Sequence, residues 1–282
     1  MSEFKIEQNN WDGILFPVQG RKDKVMIVVS GSDGGLEHAG KNAKFLCDNE
    51  IPALAFSLFK TKHSPKTLSL IPLEQLQSAI AYLCDNGYKK IGVQGVSKGA
   101  EYVLAAATMF QEISFVNIRT PSWFYSEGLC KQQPSGTSCW SYQGKELPYT
   151  PYENRKFHMF KELWKHKEFN ILAFNTGKVV KPESVIPIEK VHAPILIQTL
   201  QCDTVWPSQE SGEKLVQRLK ENGFSYPYKL TCYEHMSHMM MEYCGSEIRH
   251  FIKSEKQCPL ECAEERKQMG IETIEWIENI WK

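Results

Sequence analysis

The sequence lacks a surplus of charge, a long hydrophobic run and any close pairing of cysteines. Lys and Arg together number 33, and Asp and Glu together also number 33, so the formal net charge is zero. Nucleic-acid binding usually needs a basic surface, which a neutral chain gives no reason to expect. No apolar run approaches the roughly 18 residues that a membrane-spanning helix requires. We therefore expect a small-molecule partner, with no nucleic acid and no membrane span.

The nine cysteines indicate neither a metal site nor a disulfide framework. None of them belongs to a C-x-x-C pair, and the two closest, Cys258 and Cys262, have no histidine beside them. Zinc sites and disulfide-rich folds depend on such spacings, so we expect no metal. The first residues also lack the basic and then apolar pattern of a signal peptide, which favours a cytoplasmic protein.

Short apolar segments alternate with helical patterns along most of the chain. Because strands and helices follow one another in this way, the pattern predicts parallel βαβ units and a mostly parallel, doubly wound sheet with helices on both faces. The predicted strands are 25–29, 53–56, 91–94, 113–118, 193–198 and 228–233. The predicted helices are 36–49, 72–83, 100–107 and 208–222, with a final amphipathic helix carrying Met269 to Ile280.

One long segment, residues 119–187, interrupts the alternation. It is rich in aromatic residues, proline and glycine, and it is too long for a simple connection. We predict a cap or pocket-lining excursion within a single domain that spans residues 1–282.

The pentapeptide Gly95-Val96-Ser97-Lys98-Gly99 lies between a predicted strand and a strong helix former. A G-x-S-x-G motif flanked in this way is the nucleophile elbow of α/β-hydrolases, in which the serine occupies a tight strand-to-helix turn. The glycines allow the strand and the helix to approach closely. The motif predicts an α/β-hydrolase fold with Ser97 as nucleophile. The alternative is a glycine-punctuated turn that happens to contain a serine.

A serine hydroxyl needs a base to take its proton and an acid to orient that base, and in this fold they follow in the order Ser, Asp or Glu, His. Asp203 follows a predicted strand, and His238 follows the last one, so we predict these two as acid and base. Asp203 is alternatively a turn residue or a helix N-cap, and Glu210 is a poorer candidate acid. His235 is the alternative base.

The negative charge that develops on an attacked carbonyl oxygen needs preorganised N–H donors. One donor is expected to be the amide of Lys98, directly after the nucleophile. We assign the other to the amide of Ser32, with Asp33 as the near alternative, in the glycine-rich loop after the first predicted strand. The competing interpretation of this loop, a phosphate cradle, lacks both G-x-G-x-x-G and a Walker lysine, so no cofactor is expected.

Several blocks, in order, resemble the C-terminal α/β-hydrolase domain of the acyl-CoA thioesterase / bile acid-CoA:amino acid N-acyltransferase family. The S-K-G-A-E elbow with a downstream Y-x-G-x-x-L-P block is much more specific than G-x-S-x-G alone. The blocks are Gly31 to Leu36, Gly95 to Glu101, Ser141 to Pro148, Ile186 to Lys190, Asp203 with Trp206, and Tyr233 to His238.

The resemblance implies Ser97 as nucleophile, Asp203 as orienting acid and His238 as base, acting on an acyl-CoA or related thioester. Family members that transfer acyl groups to amino acids tend to use cysteine, so a serine favours hydrolysis. The alternatives are an esterase acting on oxygen esters, of the carboxylesterase or dienelactone hydrolase type, an acyl-CoA:amino acid N-acyltransferase, and a catalytically silent binding protein.

The chain departs from the family pattern in three places. Larger members carry an N-terminal β-sandwich domain, whereas here some twenty residues precede the first clear strand. The acid motif keeps only its second acid, Asp203, and Ser237 stands where glycine usually precedes the histidine. The aromatic residues of the excursion and the methionines Met236, Met239, Met240 and Met241 are candidates for an apolar acyl pocket or for ordinary core packing.

Overall fold

The computed structural model describes residues 3–131, 133–153, 159–176 and 179–282, without the side chains of residues 159 and 160. The strands are β1 (Phe4–Glu7), β2 (Asp12–Phe16), β3 (Val25–Val29), β4 (Ala53–Phe56), β5 (Ile71–Pro72), β6 (Ile91–Val96), β7 (Ile113–Arg119), β8 (Glu127–Cys130), β9 (Gln133–Ser138), β10 (Trp140–Tyr142), β11 (Lys145–Glu146), β12 (Ile195–Leu200) and β13 (Tyr228–Tyr233). The α-helices are α1 (Glu37–Asp48), α2 (Glu74–Asp85), α3 (Lys98–Ala107), α4 (Met159–His166), α5 (Ser208–Glu221), α6 (Lys253–Gln257) and α7 (Pro259–Glu275), and α7 continues into a π-helical turn, Trp276–Ile280.

Eight of these strands form the central sheet, in the order β1-β2-β4-β3-β6-β7-β12-β13. The pairs from β4 to β13 are all parallel, and the two at the β1 edge are antiparallel. This is the α/β-hydrolase fold, so the predicted fold class is confirmed. Parallel strands place their carboxyl ends along one edge of the sheet, where loops can converge on a ligand.

Each face of the sheet has its own apolar core. All five residues of β3 are buried, as expected for a parallel strand covered on both sides. One core packs α2, α3 and α5 against the sheet, and the other packs α1 and the C-terminal Ile277 and Trp281. Helices therefore cover both faces, as the alternating pattern predicts. Within the described residues, no helix combines the length and apolar content that a bilayer crossing needs.

The first two strands were missed by the sequence analysis, which began the sheet at Val25. β1 and β2 form an antiparallel hairpin that extends the sheet beyond β4. β1 buries only Ile6, so it shows no run of apolar residues. A short edge strand of this kind has almost no hydrophobic signal of its own.

The long segment after β7 folds onto the sheet edge. It contains β8–β11 and α4, and the gaps at 132, 154–158 and 177–178 fall within it. Trp140 is fully buried, with its ring 5.1 Å from that of Tyr102 on α3. Aromatic residues from the excursion thus become part of the main core.

Candidate active site

Ser97 occupies the turn between β6 and α3 in a strained backbone conformation, with φ 55° and ψ −117°. Positive φ costs an L-residue roughly 1–3 kcal/mol and persists only where the surroundings enforce it. Here the Ser97 N–H donates to the Arg119 carbonyl at 2.9 Å. A Cβ on Gly95 would collide with the Gly99 carbonyl, and one on Gly99 with that of Ser30. Both glycines of the motif are therefore required for the turn to close.

The loop that carries Ser32 lies directly against this turn. A Cβ added to Gly31 would be 3.2 Å from the Ser97 Cβ. Among the described residues, the amides of Ser32, Asp33 and Lys98 donate to no backbone acceptor. Unused N–H groups beside a serine hydroxyl are what an oxyanion site needs, and the geometry keeps both Ser32 and Asp33 as candidates.

Asp203 and His238 meet at the ends of β12 and β13. His238 Nδ1 is 2.9 Å and 2.8 Å from the two carboxylate oxygens of Asp203, and both residues are buried. Asp203 Oδ1 also accepts the N–H groups of Val205 and Trp206, at 2.8 Å and 3.0 Å. These bonds hold the carboxylate in place beside the imidazole. Since the N-terminal flanking residue of α5 is Pro207, Asp203 does not cap that helix.

The two alternative residues lie elsewhere. His235 Nδ1 is 2.9 Å from Glu265, whose carboxylate also accepts the N–H groups of residues 234, 235 and 236. The hydrogen bond with Glu265 raises the pKa of His235. Glu210 is exposed on α5. Neither side chain has a hydrogen bond to His238 among the described residues.

Ser97 follows β6, Asp203 follows β12 and His238 follows β13. In the sheet, β7 lies between β6 and β12, and β13 is next to β12. Val96, directly before the serine, packs against a buried cluster that joins the ends of these strands: Leu200, Tyr233, Met236, Met240 and Met269. Within the described part of the chain, the Ser97 hydroxyl and the His238 ring form no hydrogen bond. Such bonds are often long in ligand-free enzymes. The pairing of Ser97 with His238 stays a prediction.

Arg119, which the sequence analysis did not single out, links the elbow to the loop after β13. Its carbonyl accepts the Ser97 N–H, and its fully buried guanidinium donates to the Met240 carbonyl at 3.3 Å and to Glu242 at 2.7 Å. A buried arginine is stable only with such partners. The partners lie more than 120 residues away, so no local pattern indicates them.

A second buried ion pair lies beneath the elbow. Lys98 and Glu101 are 3.4 Å apart on α3, and the Glu101 carboxylate also accepts the Ser126 amide and the Trp140 indole N–H, at 2.7 Å and 2.8 Å. Burial alone would lower the pKa of Lys98, but its buried surroundings, including the Glu101 carboxylate, raise it above its usual value. The lysine after the nucleophile therefore keeps its charge and ties α3 to the excursion.

A cavity of about 690 Å³ opens beside Ser32 at this edge of the sheet. Its apolar lining comes from Phe59, Leu68, Leu129, Pro134, Phe169, Ile171 and Phe174. Two hydrogen bonds join residues 169–175 to the loop that carries Asp203. The Ile171 N–H donates to the Thr204 carbonyl at 2.8 Å, and the Asn175 side-chain amide donates to the Val205 carbonyl at 2.7 Å. Volume and lining are those of a small-molecule pocket.

The methionines considered for an acyl pocket do not line this cavity. Met236 and Met240 are fully buried in the cluster behind the strand ends. Among the aromatic residues of the excursion, Tyr152, Phe169 and Phe174 line the cavity, whereas Trp140 and Tyr125 are buried in the main core. Met236 and Met240 are therefore core residues, and the excursion contributes to both core and pocket.

Known proteins with similar sequences include acyl-coenzyme A thioesterases and an amino acid N-acyltransferase. Acyl-coenzyme A thioesterase 1 of Homo sapiens is 24% identical over 218 residues, which cover 76% of this chain and 48% of that protein. Acyl-coenzyme A amino acid N-acyltransferase 2 of Rattus norvegicus is 25% identical over 234 residues, covering 78% of this chain and 50% of that protein. The chain thus spans about half the length of these curated relatives.

Solved structures agree with the fold. An esterase of Pyrococcus furiosus superposes with a TM-score of 0.62 at 13% identity, covering 100% of this chain and 92% of that one. At this identity the similarity concerns the fold alone. The family model for the BAAT / acyl-CoA thioester hydrolase C terminal matches residues 71–245. With more than half of its residues inside that match, the chain belongs to the BAAT / acyl-CoA thioester hydrolase C-terminal family.

Proposed function

We propose that this protein is a serine hydrolase that cleaves acyl-CoA or related thioesters through Ser97, Asp203 and His238. The observation that carries the proposal is the buried contact between Asp203 and the His238 ring, at the same sheet edge as the strained Ser97 turn. A buried carboxylate on one ring nitrogen leaves the other nitrogen available as a base. Family membership supports the thioester as the bond that is cleaved.

The steps follow from these positions. Ser97 Oγ attacks the thioester carbonyl while His238 Nε2 takes its proton, and the Asp203 carboxylate stabilises the resulting imidazolium. The amides of Lys98 and of Ser32 or Asp33 donate to the oxyanion. Collapse of the intermediate breaks the C–S bond, and the imidazolium proton goes to the thiolate. Water then attacks the acyl-serine with the same base, which releases the carboxylic acid and restores Ser97.

Hydrolysis is favoured over acyl transfer because the nucleophile is a serine, and members of this family that acylate amino acids tend to use cysteine. The relatives include proteins named for each reaction. An assay of acyl-CoA consumption with and without glycine or taurine separates the two reactions. A free fatty acid as sole product supports hydrolysis, and an N-acyl amino acid would contradict it.

The central experiment is Ser97→Ala, tested with acyl-CoAs and with p-nitrophenyl esters of matched chain length. Loss of a triad residue lowers turnover by roughly 10⁴–10⁶-fold. Ser225→Ala, in an exposed loop before β13, is the matched control and should retain activity. Unchanged acyl-CoA hydrolysis by Ser97→Ala would refute the proposal, and higher kcat/KM for every oxygen ester would replace the thioester by an ester as substrate.

A fluorophosphonate probe tests the same nucleophile without a substrate. Labelling of Ser97 that is lost on boiling and in Ser97→Ala would exclude a catalytically silent binding protein. Absence of labelling in the native protein would favour it.

A further inference from the structure

The cavity beside Ser32 has a cationic lining. Lys60, Lys66 and Lys131 all line the cavity, and no aspartate or glutamate among the described residues does. The whole chain is electrically neutral, with 33 basic and 33 acidic residues, so this positive charge is a local feature. Charges of one sign beside an apolar wall concentrate ligands of the opposite sign.

Two of the lysines come from segments that a single backbone bridge joins. Leu68 and Leu129 form this antiparallel bridge; Lys66 lies two residues before Leu68, and Lys131 lies two residues after Leu129. Among the described residues neither lysine has an acidic partner. The Lys66 amine donates only to carbonyl oxygens, those of residues 61 and 62.

The third lysine contacts the loop that carries Ser32. The Lys60 amine is 2.7 Å from the Asp33 carbonyl, one residue beyond Ser32. Asn175, which also lines the cavity, is buried, and its Oδ1 has no partner among the described residues. That oxygen is an acceptor for an N–H of a ligand. The lysine charges and the Asn175 oxygen together suit a ligand that carries an anionic group and an amide N–H.

We propose that Lys60, Lys66 and Lys131 form a subsite that recognises a negatively charged group of the substrate. The inference rests on the proposed function, which places the reacting carbonyl at Ser97. Two parts of a thioester substrate supply such a charge: phosphates on the thiol leaving group, or a carboxylate at the far end of the acyl chain. Either group would bind the same lysines, and substrates that differ only in that group distinguish the two cases.

The phosphate arm compares hexanoyl-CoA with hexanoyl-N-acetylcysteamine, which keeps the thioester and one amide but has no phosphate. In the double variant Lys66→Gln/Lys131→Gln, KM for hexanoyl-CoA should rise about tenfold or more, because each lost charge weakens binding by about a few-fold. KM for hexanoyl-N-acetylcysteamine should change by less than about twofold. Added salt should weaken hexanoyl-CoA binding to the native protein and have little effect on the variant.

The carboxylate arm compares adipoyl- with hexanoyl-N-acetylcysteamine. A preference of the native protein for the adipoyl compound that disappears in the double variant assigns the subsite to the acyl end. A loss confined to hexanoyl-CoA assigns it to the leaving group.

Lys62→Gln is the matched control, since Lys62 lies in the same loop, pairs with Glu7 at 3.2 Å and does not line the cavity. The subsite is refuted if the double variant affects uncharged thioesters as strongly as anionic ones, or affects neither anionic substrate more than Lys62→Gln does. Binding of CoA against pantetheine to the Ser97→Ala variant, measured by calorimetry, provides a readout independent of turnover. The two proposals fail separately. Hydrolysis that survives Ser97→Ala refutes the proposed function, whereas the subsite is tested by whether the lysine variants still bind CoA more tightly than pantetheine.

Discussion

Glu255 holds Ser237, the residue directly before His238. Its carboxylate accepts both the N–H of Ser237, at 3.2 Å, and its hydroxyl, at 2.6 Å. Arg266 of α7 donates to the same carboxylate from its two terminal nitrogens. All three residues are buried. The turn that presents His238 is therefore anchored to α6 and α7 rather than held by its own sequence.

This anchoring predicts that Glu255 and Ser237 position the proposed base. Glu255→Gln should lower kcat by about tenfold to a hundredfold with a small change in KM, because a displaced imidazole impairs proton transfer more than binding. Ser237→Ala, which keeps the backbone bond, should have a weaker effect. Steady-state kinetics with an acyl-CoA measures both. The exposed Glu264→Gln on α7 is the control, and a change in KM alone would contradict the positioning role.

The same carboxylate predicts a pH dependence of stability. Burial would raise the pKa of Glu255, but hydrogen bonds from Arg266 and Ser237 hold it below its usual value. A carboxyl with a lower pKa in the folded state stabilises that state above its unfolded pKa, about 4.3, and loses this contribution as the pH falls below it. Glu255→Gln should cost about 3 kcal/mol of unfolding free energy at pH 7, because it leaves Arg266 buried without its charged partner.

Urea denaturation of both proteins between pH 7 and pH 3 tests this prediction. The difference in unfolding free energy between native protein and Glu255→Gln should shrink as the pH decreases below about 4.3. A difference that stays constant over this range would contradict the assignment.

Asp203 and His235 give opposite predictions. Asp203→Asn should lower kcat by about 10⁴-fold, since an amide no longer holds the imidazole in the required tautomer. His235→Ala should retain activity within about twofold, because that ring contacts Glu265 instead. Turnover of one acyl-CoA by the two purified variants is sufficient. A severe loss in His235→Ala, with a mild one in His238→Ala, would reverse the base assignment.

Glu101→Gln should destabilise the fold. It leaves the buried Lys98 charge without its carboxylate, and breaking a buried ion pair costs about 3–5 kcal/mol. The midpoint of urea unfolding should fall accordingly. Glu37→Gln, on the exposed face of α1, should change the unfolding free energy by less than about 0.5 kcal/mol. A similar small change in Glu101→Gln would show that the pair does not support the elbow.

Much of the fold was predictable because its signals are local. The buried strands β3, β4, β6, β7 and β12 are short, mostly apolar runs, and the helices between them have clear periodicity. β1 escaped detection because it buries a single side chain. The methionines after β13 were open to two interpretations, since an apolar residue packs equally well in a core or a pocket until its neighbours are known.

The sequence by itself determined the strand-helix order, the G-x-S-x-G turn and the chain positions of the candidate acid and base, because each depends on residues close together in the chain. Only the tertiary structure decided which partners the buried charges have: Glu255 has Ser237 and Arg266, Arg119 has Glu242, and Glu101 has Ser126 and Trp140. It also decided that Lys60, Lys66 and Lys131 line one cavity. Such contacts depend on packing between segments distant in the chain, and the low dielectric of the interior makes each buried charge depend on a partner that no local pattern reveals.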